Sequence, residues 1–315
     1  RDFTAWCESQ VLRPDPAPAI YVVEHAFQEQ GHRQVRLGFL ALLELRDGME
    51  REIFRHEVTL AAPKADRTKL FEAVPANLSP VFCVYPDPGG AVQGRVRELA
   101  ARSAPTTQAT IQDEPLRLWA VTDERVIQDI AGRLASAAVL IADGHHRFEV
   151  AYANRSRSVA LMSYFASMED PSLVLQPIHR VIQHGATAGL HALQSLCAVE
   201  GASDLPSVMR WLQEELGEGR FGCCDSGGWY RVTVRPDSLA RWLMAPSFPL
   251  PVATLDVSLL HGLILPSLNV SGSSVRYTPD VSQAVRMVDG GQGSMAWLLR
   301  PLSLQQVYAL AAQGF

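Results

Sequence analysis

Apolar and polar positions change period repeatedly along this chain, and the changes divide it into short strands and helices. Ala19–Phe27, Val35–Leu45 and Arg51–Leu60 alternate with the period of two that half-buried strands require. Gln30-Gly31-His32 separates the first two. Asp47-Gly48 separates the second and third, and as a strong hairpin dipeptide it makes the three a predicted β-meander. Lys64–Ala73 predicts a short helix, Pro80–Tyr85 a buried strand, Asp87–Gly90 a turn and Val92–Arg102 a second helix. Strands at Thr107–Gln112 and Leu116–Thr122 precede a helix over Glu124–Ala135. Val159–Ser167 and Leu173–Ile182 read as a strand pair joined by Glu169-Asp170-Pro171. Pro206–Leu216 predicts a helix, followed by a hairpin of Phe221–Cys224 and Tyr230–Val234 turning on Gly227-Gly228. Helices near Val257–Ile264 and over Val281–Val288, a strand Met295–Leu299 and a terminal helix Leu304–Ala312 capped by Ser303 complete the chain.

A meander with interspersed helices predicts a mixed α+β fold, because a doubly wound sheet would alternate its elements more regularly. Pro14, Pro16 and Pro18 make residues 1–18 a connector, and a start at Arg1 suggests an incomplete N-terminus. The expected division is a core domain over 19–182 and a smaller C-terminal α/β portion over 183–315 packed on it.

With 28 basic residues against 33 acidic ones, the net charge of −5 disfavours nucleic acid as a partner. No apolar run approaches the roughly 20 residues that span a bilayer, so no membrane partner is expected. The five cysteines are odd in number and include no CxxC pair, which predicts reduced thiols, a cytoplasmic location and no metal site. Nothing in the pattern fixes an oligomeric state.

The most informative stretch is Val139-Leu140-Ile141-Ala142-Asp143-Gly144-His145-His146-Arg147. An apolar strand stops at Asp-Gly and delivers two histidines and an arginine to the start of a possible helix. Free N–H groups and the helix dipole favour a phosphate at such a place. Here Asp143 would be the N-cap, Gly144 would let a phosphate approach the backbone, and Arg147 would offer a planar fork. His145 and His146 would donate hydrogen bonds or shuttle a proton. The alternatives are a hairpin turn, since His146, Phe148, Val150 and Tyr152 also alternate, and polar groups satisfied at a strand end. The pattern leaves the anion site and the hairpin level. Adjacent histidines point apart on a helix, which argues against a shared metal.

Two further segments carry chemistry. Arg55, Glu57 and Thr59 would share one face of a strand, with His56 and Val58 on the other, and Lys64 and Arg67 follow on the next helix. Glu57 would serve as a general base and the two cations would grip a negative substrate, although a solvated face of ordinary charges explains the same pattern. Gln176-Pro177-Ile178-His179-Arg180 adds a basic pair at a strand end, which also suits an exposed turn. Leu255–Leu260 reads as structural, a helix start capped at or near Asp256.

Taken together these segments resemble the prokaryotic family known as domain of unknown function 1015. Its Ala-Asp-Gly-His-His-Arg signature stands at Ala142–Arg147, and its His-Glu-x-Thr segment at His56–Thr59, with Lys64 and Asp66-Arg67 after it. Its remaining segments match Asn77–Phe82, Asp170–Leu173, Pro177–Arg180 and Leu255–Leu260. Members usually carry an upstream segment and a tail, and the resemblance implies that this chain lacks both. The signature is similar to the phosphate-binding motif of the ParB and sulfiredoxin superfamily, which includes free serine kinases, and this likeness implies a ParB/sulfiredoxin-like core.

The resemblance tips the balance to the anion site. It implies a nucleotide-dependent phosphotransferase, kinase-like, acting on a small hydroxyl metabolite such as serine, with ATP or ADP and Mg²⁺ as cofactors. Asp143, Gly144, His145, His146, Arg147, Lys64, Arg67, His179 and Arg180 would bind the nucleotide, and Glu57 and His145 would be catalytic. A non-catalytic nucleotide sensor is the alternative, and a DNA-binding or nuclease role is disfavoured by the acidic balance.

Overall fold

A computed structural model describes residues 2–29, 31–57, 59, 61–74, 76–183, 189–214 and 217–315. Gln30, Val58, Leu60, Glu215 and Leu216, which belong to expected segments, lie outside the described residues. The fold is mixed α+β with two sheets. The chain divides into two compact units, Arg1–Val174 with Val307–Phe315, and Leu175–Gln306. The break thus falls before the 182/183 boundary expected from sequence, and the final helix begins in the second unit and ends in the first. The stretch read as a connector holds an exposed helix, α1 (Asp2–Glu8).

The first unit contains β1 (Ile20–Glu29), β2 (His32–Glu44), β3 (Ile53–Phe54), β4 (Val81–Tyr85), β5 (Thr107–Ile111), β6 (Glu114–Val121), β7 (Val139–Asp143) and β8 (Ala160–Ser167). Its helices are α2 (Ala61–Ala73), α3 (Ala91–Arg102), α4 (Glu124–Leu134) and α5 (His145–Ala153). The strand order is β3-β7-β4-β8-β2-β1-β6-β5. The first two expected strands form as β1 and β2, which pair antiparallel from Glu29↔His32 to Tyr21↔Leu40. Core residues Val22, Phe39, Cys83, Tyr85, Ile141 and Phe165 project to one face, against Val92 and Val96 of α3, Ile130 of α4 and Phe148 of α5.

The expected third meander strand does not form. Among the described residues of that segment only Ile53 and Phe54 form a strand, and they pair parallel with Val139 and Leu140 of β7 at the far edge of the sheet. Asp47-Gly48 is no hairpin: Gly48, at φ 81°, instead starts a 3₁₀ turn over Met49–Arg51. The edge of β2 that a meander would have used is taken by β8, with Phe39 opposite Phe165. Burying Ile53 and Met49 in the core outweighs the local turn preference. Nor do Val159–Ser167 and Leu173–Ile182 pair: residues 160–167 join strands of the first sheet, and residues 179–182 join strands of the second.

The second unit contains β9 (His179–Ile182), β10 (Cys197–Ala202), β11 (Arg220–Asp225), β12 (Gly228–Val234), β13 (Val275–Thr278) and β14 (Met295–Leu298). Its helices are α6 (Leu205–Glu214), α7 (Pro236–Met244), α8 (Leu250–Ala253), α9 (Asp256–Leu259), α10 (Leu265–Ser267) and α11 (Val281–Asp289), and α12 (Leu304–Ala312) follows. Strand β9 lies between β14 and β13. Successive side chains enter two cores: Ile182, Cys223, Met295 and Trp297 on one face, Val181, Cys224, Ala296 and Leu298 on the other. Gly222 permits this layering, because a Cβ there would stand 2.5 Å from Val208 of α6. The helix expected over Val257–Ile264 is broken, with Leu260–Ile264 forming a π-helical turn between α9 and α10. Ser303 caps α12 reciprocally: Gln306 N–H donates to Ser303 Oγ and Ser303 N–H to Gln306 Oε1.

Candidate functional site

Pairing in the first sheet brings three sequence segments to one end of β7. Strand β3 is parallel to β7, so residues after Phe54 leave the sheet beside Asp143. Strand β4 is antiparallel to β7, with Phe82 opposite Asp143, so residues before Val81 arrive at the same place. Residues 55–57 and 59, 77–80 and 143–149 therefore converge although up to 94 residues separate them.

The turn is built on Gly144 rather than Asp143. Gly144 is the N-cap of α5 with φ 94°, a left-handed backbone that a β-carbon disfavours. Asp143 remains at the strand end, and its carboxylate accepts from Arg147 Nη2 at 2.7 Å. Arg147 Nη1 donates to Ser79 Oγ at 2.8 Å and also to the Pro80 carbonyl. The guanidinium expected to face a phosphate is thus folded over Gly144, joining three segments. The first N–H groups of α5 lack intrahelical partners, as at every helix start.

His145 is 1% exposed, and His146 is half-buried. The His145 ring meets His56 edge-on at 4.6 Å between centroids, and the His56 N–H lies 3.5 Å from its Nε2. Its Nδ1 is 3.1 Å from Glu57 Oε2, at an angle that makes no hydrogen bond, so this buried nitrogen has no hydrogen-bond partner among the described residues. Burial, and then the charge of His56, hold the His145 pKa below the ordinary imidazole value against the pull of Glu57 and Asp143. The ring is neutral at pH 7. Glu57 is exposed, leaving its second oxygen open to a ligand.

Sequence reasoning passed over Glu149, which fastens the site together. Its carboxylate accepts from Thr59 Oγ1 at 2.6 Å, Lys64 Nζ at 3.0 Å and Arg55 Nη1 at 3.2 Å. Burial pushes this carboxyl up, but the hydrogen bonds from Thr59 and Lys64, and the charges of Lys64 and Arg55, outweigh it and hold the pKa below the usual range. Lys64, itself half-buried, therefore spends its charge on Glu149. Arg67 is exposed and lines a cavity of about 230 Å³ with Asn77, Ser79 and Arg147 above Phe71 and Val150. The available signal for Glu149 was its place one turn beyond His145 on a predicted helix, on the face toward the helix from Lys64.

His179 and Arg180 lie on β9 in the second unit. The Leu299 N–H donates to His179 Nδ1 at 3.3 Å, and Arg180 Nε donates to His261 Nε2 at 3.1 Å. Among the described residues no group of three histidine, cysteine or carboxylate side chains is placed to hold a metal ion. No helix among them is long and apolar enough to cross a membrane.

A two-sheet α+β protein with a glycine-capped strand-to-helix turn and a buried neutral histidine at that turn is the class these features define. The chain belongs to the family described as Protein of unknown function (DUF1015), whose pattern matches residues 1–258. No curated protein matches it. Among solved structures, a free serine kinase in complex with AMP is similar at 12% identity and TM-score 0.40, over 87% of this chain and 82% of that one. SbnI with a C-terminal truncation, from Staphylococcus aureus, is similar at 11% identity and TM-score 0.41, over 87% and 78%. A conserved hypothetical protein from Pyrococcus furiosus is similar at 11% identity and TM-score 0.37, over 87% and 85%.

Proposed function

We propose that the first unit binds a nucleotide at the β7–α5 turn and transfers its terminal phosphoryl group to the hydroxyl of a small metabolite such as serine. The observation that carries this reading is Gly144 in a left-handed backbone at the start of α5. It opens a helix N-terminus beside a buried neutral histidine and an exposed carboxylate. The first N–H groups of α5 receive phosphate oxygens, and His145, being neutral, stays compatible with a hydrogen bond to the ligand. Arg147 and Asp143 hold the turn, and Arg67 supplies an exposed positive charge at the adjoining cavity.

Glu57 takes the proton of the acceptor hydroxyl as that oxygen forms its bond to the terminal phosphorus and the nucleoside diphosphate leaves. The donor set at the turn suits Mg²⁺ only as a companion of the nucleotide, with the exposed carboxylates of Asp143 and Glu57 as the available protein oxygens. When bound, that ion would neutralise phosphate charge. The motif's likeness to the ParB and sulfiredoxin superfamily supports the same reading by analogy.

Calorimetry with ATP and ADP in the presence of Mg²⁺ tests binding. The His145→Ala variant is expected to weaken it about tenfold or more. A labelled-phosphate assay across serine and other hydroxyl compounds tests transfer, which Glu57→Gln abolishes while leaving binding in place. Binding without transfer to any acceptor would leave a nucleotide sensor, and an absence of nucleotide binding overturns both.

A further inference from the structure

The second unit contains a buried positive charge that no carboxylate among the described residues pairs with. Arg180 is only 9% exposed. Among the described residues it makes no ion pair. Its Nε donates to His261 Nε2, its Nη1 donates to the Ile178 carbonyl, and its guanidinium carbon lies 5.2 Å from the centre of the Tyr277 ring. Guanidinium carries five N–H donors, and these contacts use two. The donors left over are on Nη1 and Nη2, the fork that matches a pair of coplanar oxygens.

His261 adds to the same donor set. By accepting from Arg180 at Nε2, the neutral ring must carry its proton on Nδ1, which makes that nitrogen a donor. Burial, and then the charge of Arg180, lower the His261 pKa and keep the ring in that form. His261 sits in the π-helical turn Leu260–Ile264, an arrangement that interrupts regular helix and is frequent at functional sites. Tyr277 stacks on the His261 ring at 6.2 Å and 12° and is 56% exposed, so the cluster reaches the surface along its ring.

A desolvated cation without an acid partner is costly, and proteins keep one where a ligand supplies the missing charge. We infer that Arg180, His261 and Tyr277 form a binding site for the carboxylate group of a small molecule. A carboxylate is favoured over a phosphate dianion because the cluster offers one net positive charge. His179 next to Arg180 does not add a second, since burial and the charge of Arg180 lower its pKa to about 4. The site is independent of the nucleotide reading of the first unit.

Calorimetry on the full chain with acetate and with inorganic phosphate, each at constant ionic strength, tests the inference. Acetate is expected to bind and phosphate to bind more weakly. Arg180→Gln, shown folded by circular dichroism, should weaken acetate by roughly 30-fold or more. Tyr277→Leu, an exposed position, should weaken it by a smaller factor without loss of fold. Undiminished acetate binding in folded Arg180→Gln, a preference for phosphate, or no binding of either anion to the wild-type chain would each overturn the assignment.

Discussion

Gly144 and Arg147 fit each other: a β-carbon at residue 144 would lie 2.9 Å from Arg147 Nη2. The left-handed glycine thus leaves the space that the folded-back guanidinium occupies. Gly144→Ala combines a strained φ with this contact and is expected to destabilise the protein by about 1–3 kcal/mol. Chemical denaturation measures it. A loss near zero would mean that Arg147 moves aside freely and does not fix the turn.

Glu149 carries a pH signature with a defined sign. Its folded pKa is depressed, so its stabilising contribution is present above the unfolded value of about 4.3 and disappears as pH falls through the lower folded value. Glu149→Gln should cost about 1–3 kcal/mol at pH 7. The difference from wild type should shrink on acidification below that unfolded value. Urea midpoints compared across pH check this, and a difference that persists in acid would deny the carboxylate its role.

His145 behaves as a base kept neutral. Its folded pKa lies below the unfolded value near 6.5, so the folded state gains nothing from protonation and loses stability as pH drops through that value. Its ring resonances in an NMR titration should move only below that range. A midpoint at or above the ordinary imidazole value would show that Glu57 outweighs burial.

His179 should titrate near pH 4, with its neutral form protonated on Nε2, because Nδ1 accepts from the Leu299 N–H. Nitrogen chemical shifts of the ring report the tautomer directly, and a proton on Nδ1 would contradict this hydrogen bond.

Asp256 is a structural acid in the second unit. One of its oxygens accepts from the Gly219 N–H at 2.7 Å, and the other accepts from Arg300 Nη2 at 2.9 Å. Asp256→Ala should cost about 1–3 kcal/mol, since it removes the acceptors of the Gly219 N–H and of Arg300. Thermal denaturation measures the loss, and a small one would remove the acid from the account of this unit's stability.

Much of the secondary structure was legible in the sequence because it follows from local pattern. The hairpin on Gly227-Gly228, the strand ending at Asp143 and the helix after His145 all came from residues near one another. The same locality made Asp47-Gly48 read as a hairpin. What cancelled it was distant: β8 occupies the edge of β2, and Ile53 pairs across the sheet with Val139. Strand pairing partners are chosen by burial over the whole unit, and a window of ten residues does not contain that information.

The sequence by itself determined the mixed α+β class and the position of the Asp143–Arg147 turn, for these depend on periodicity and on the backbone freedom of glycine. Only the tertiary structure decided what the charged residues do. It paired Arg147 with Asp143 and Lys64 with Glu149, raised Glu149 to the hub of the site, and left Arg180 buried without an acid partner among the described residues. Charge in a sequence is a count, whereas its use depends on which opposite charge the fold brings within a few ångströms and how much water it removes.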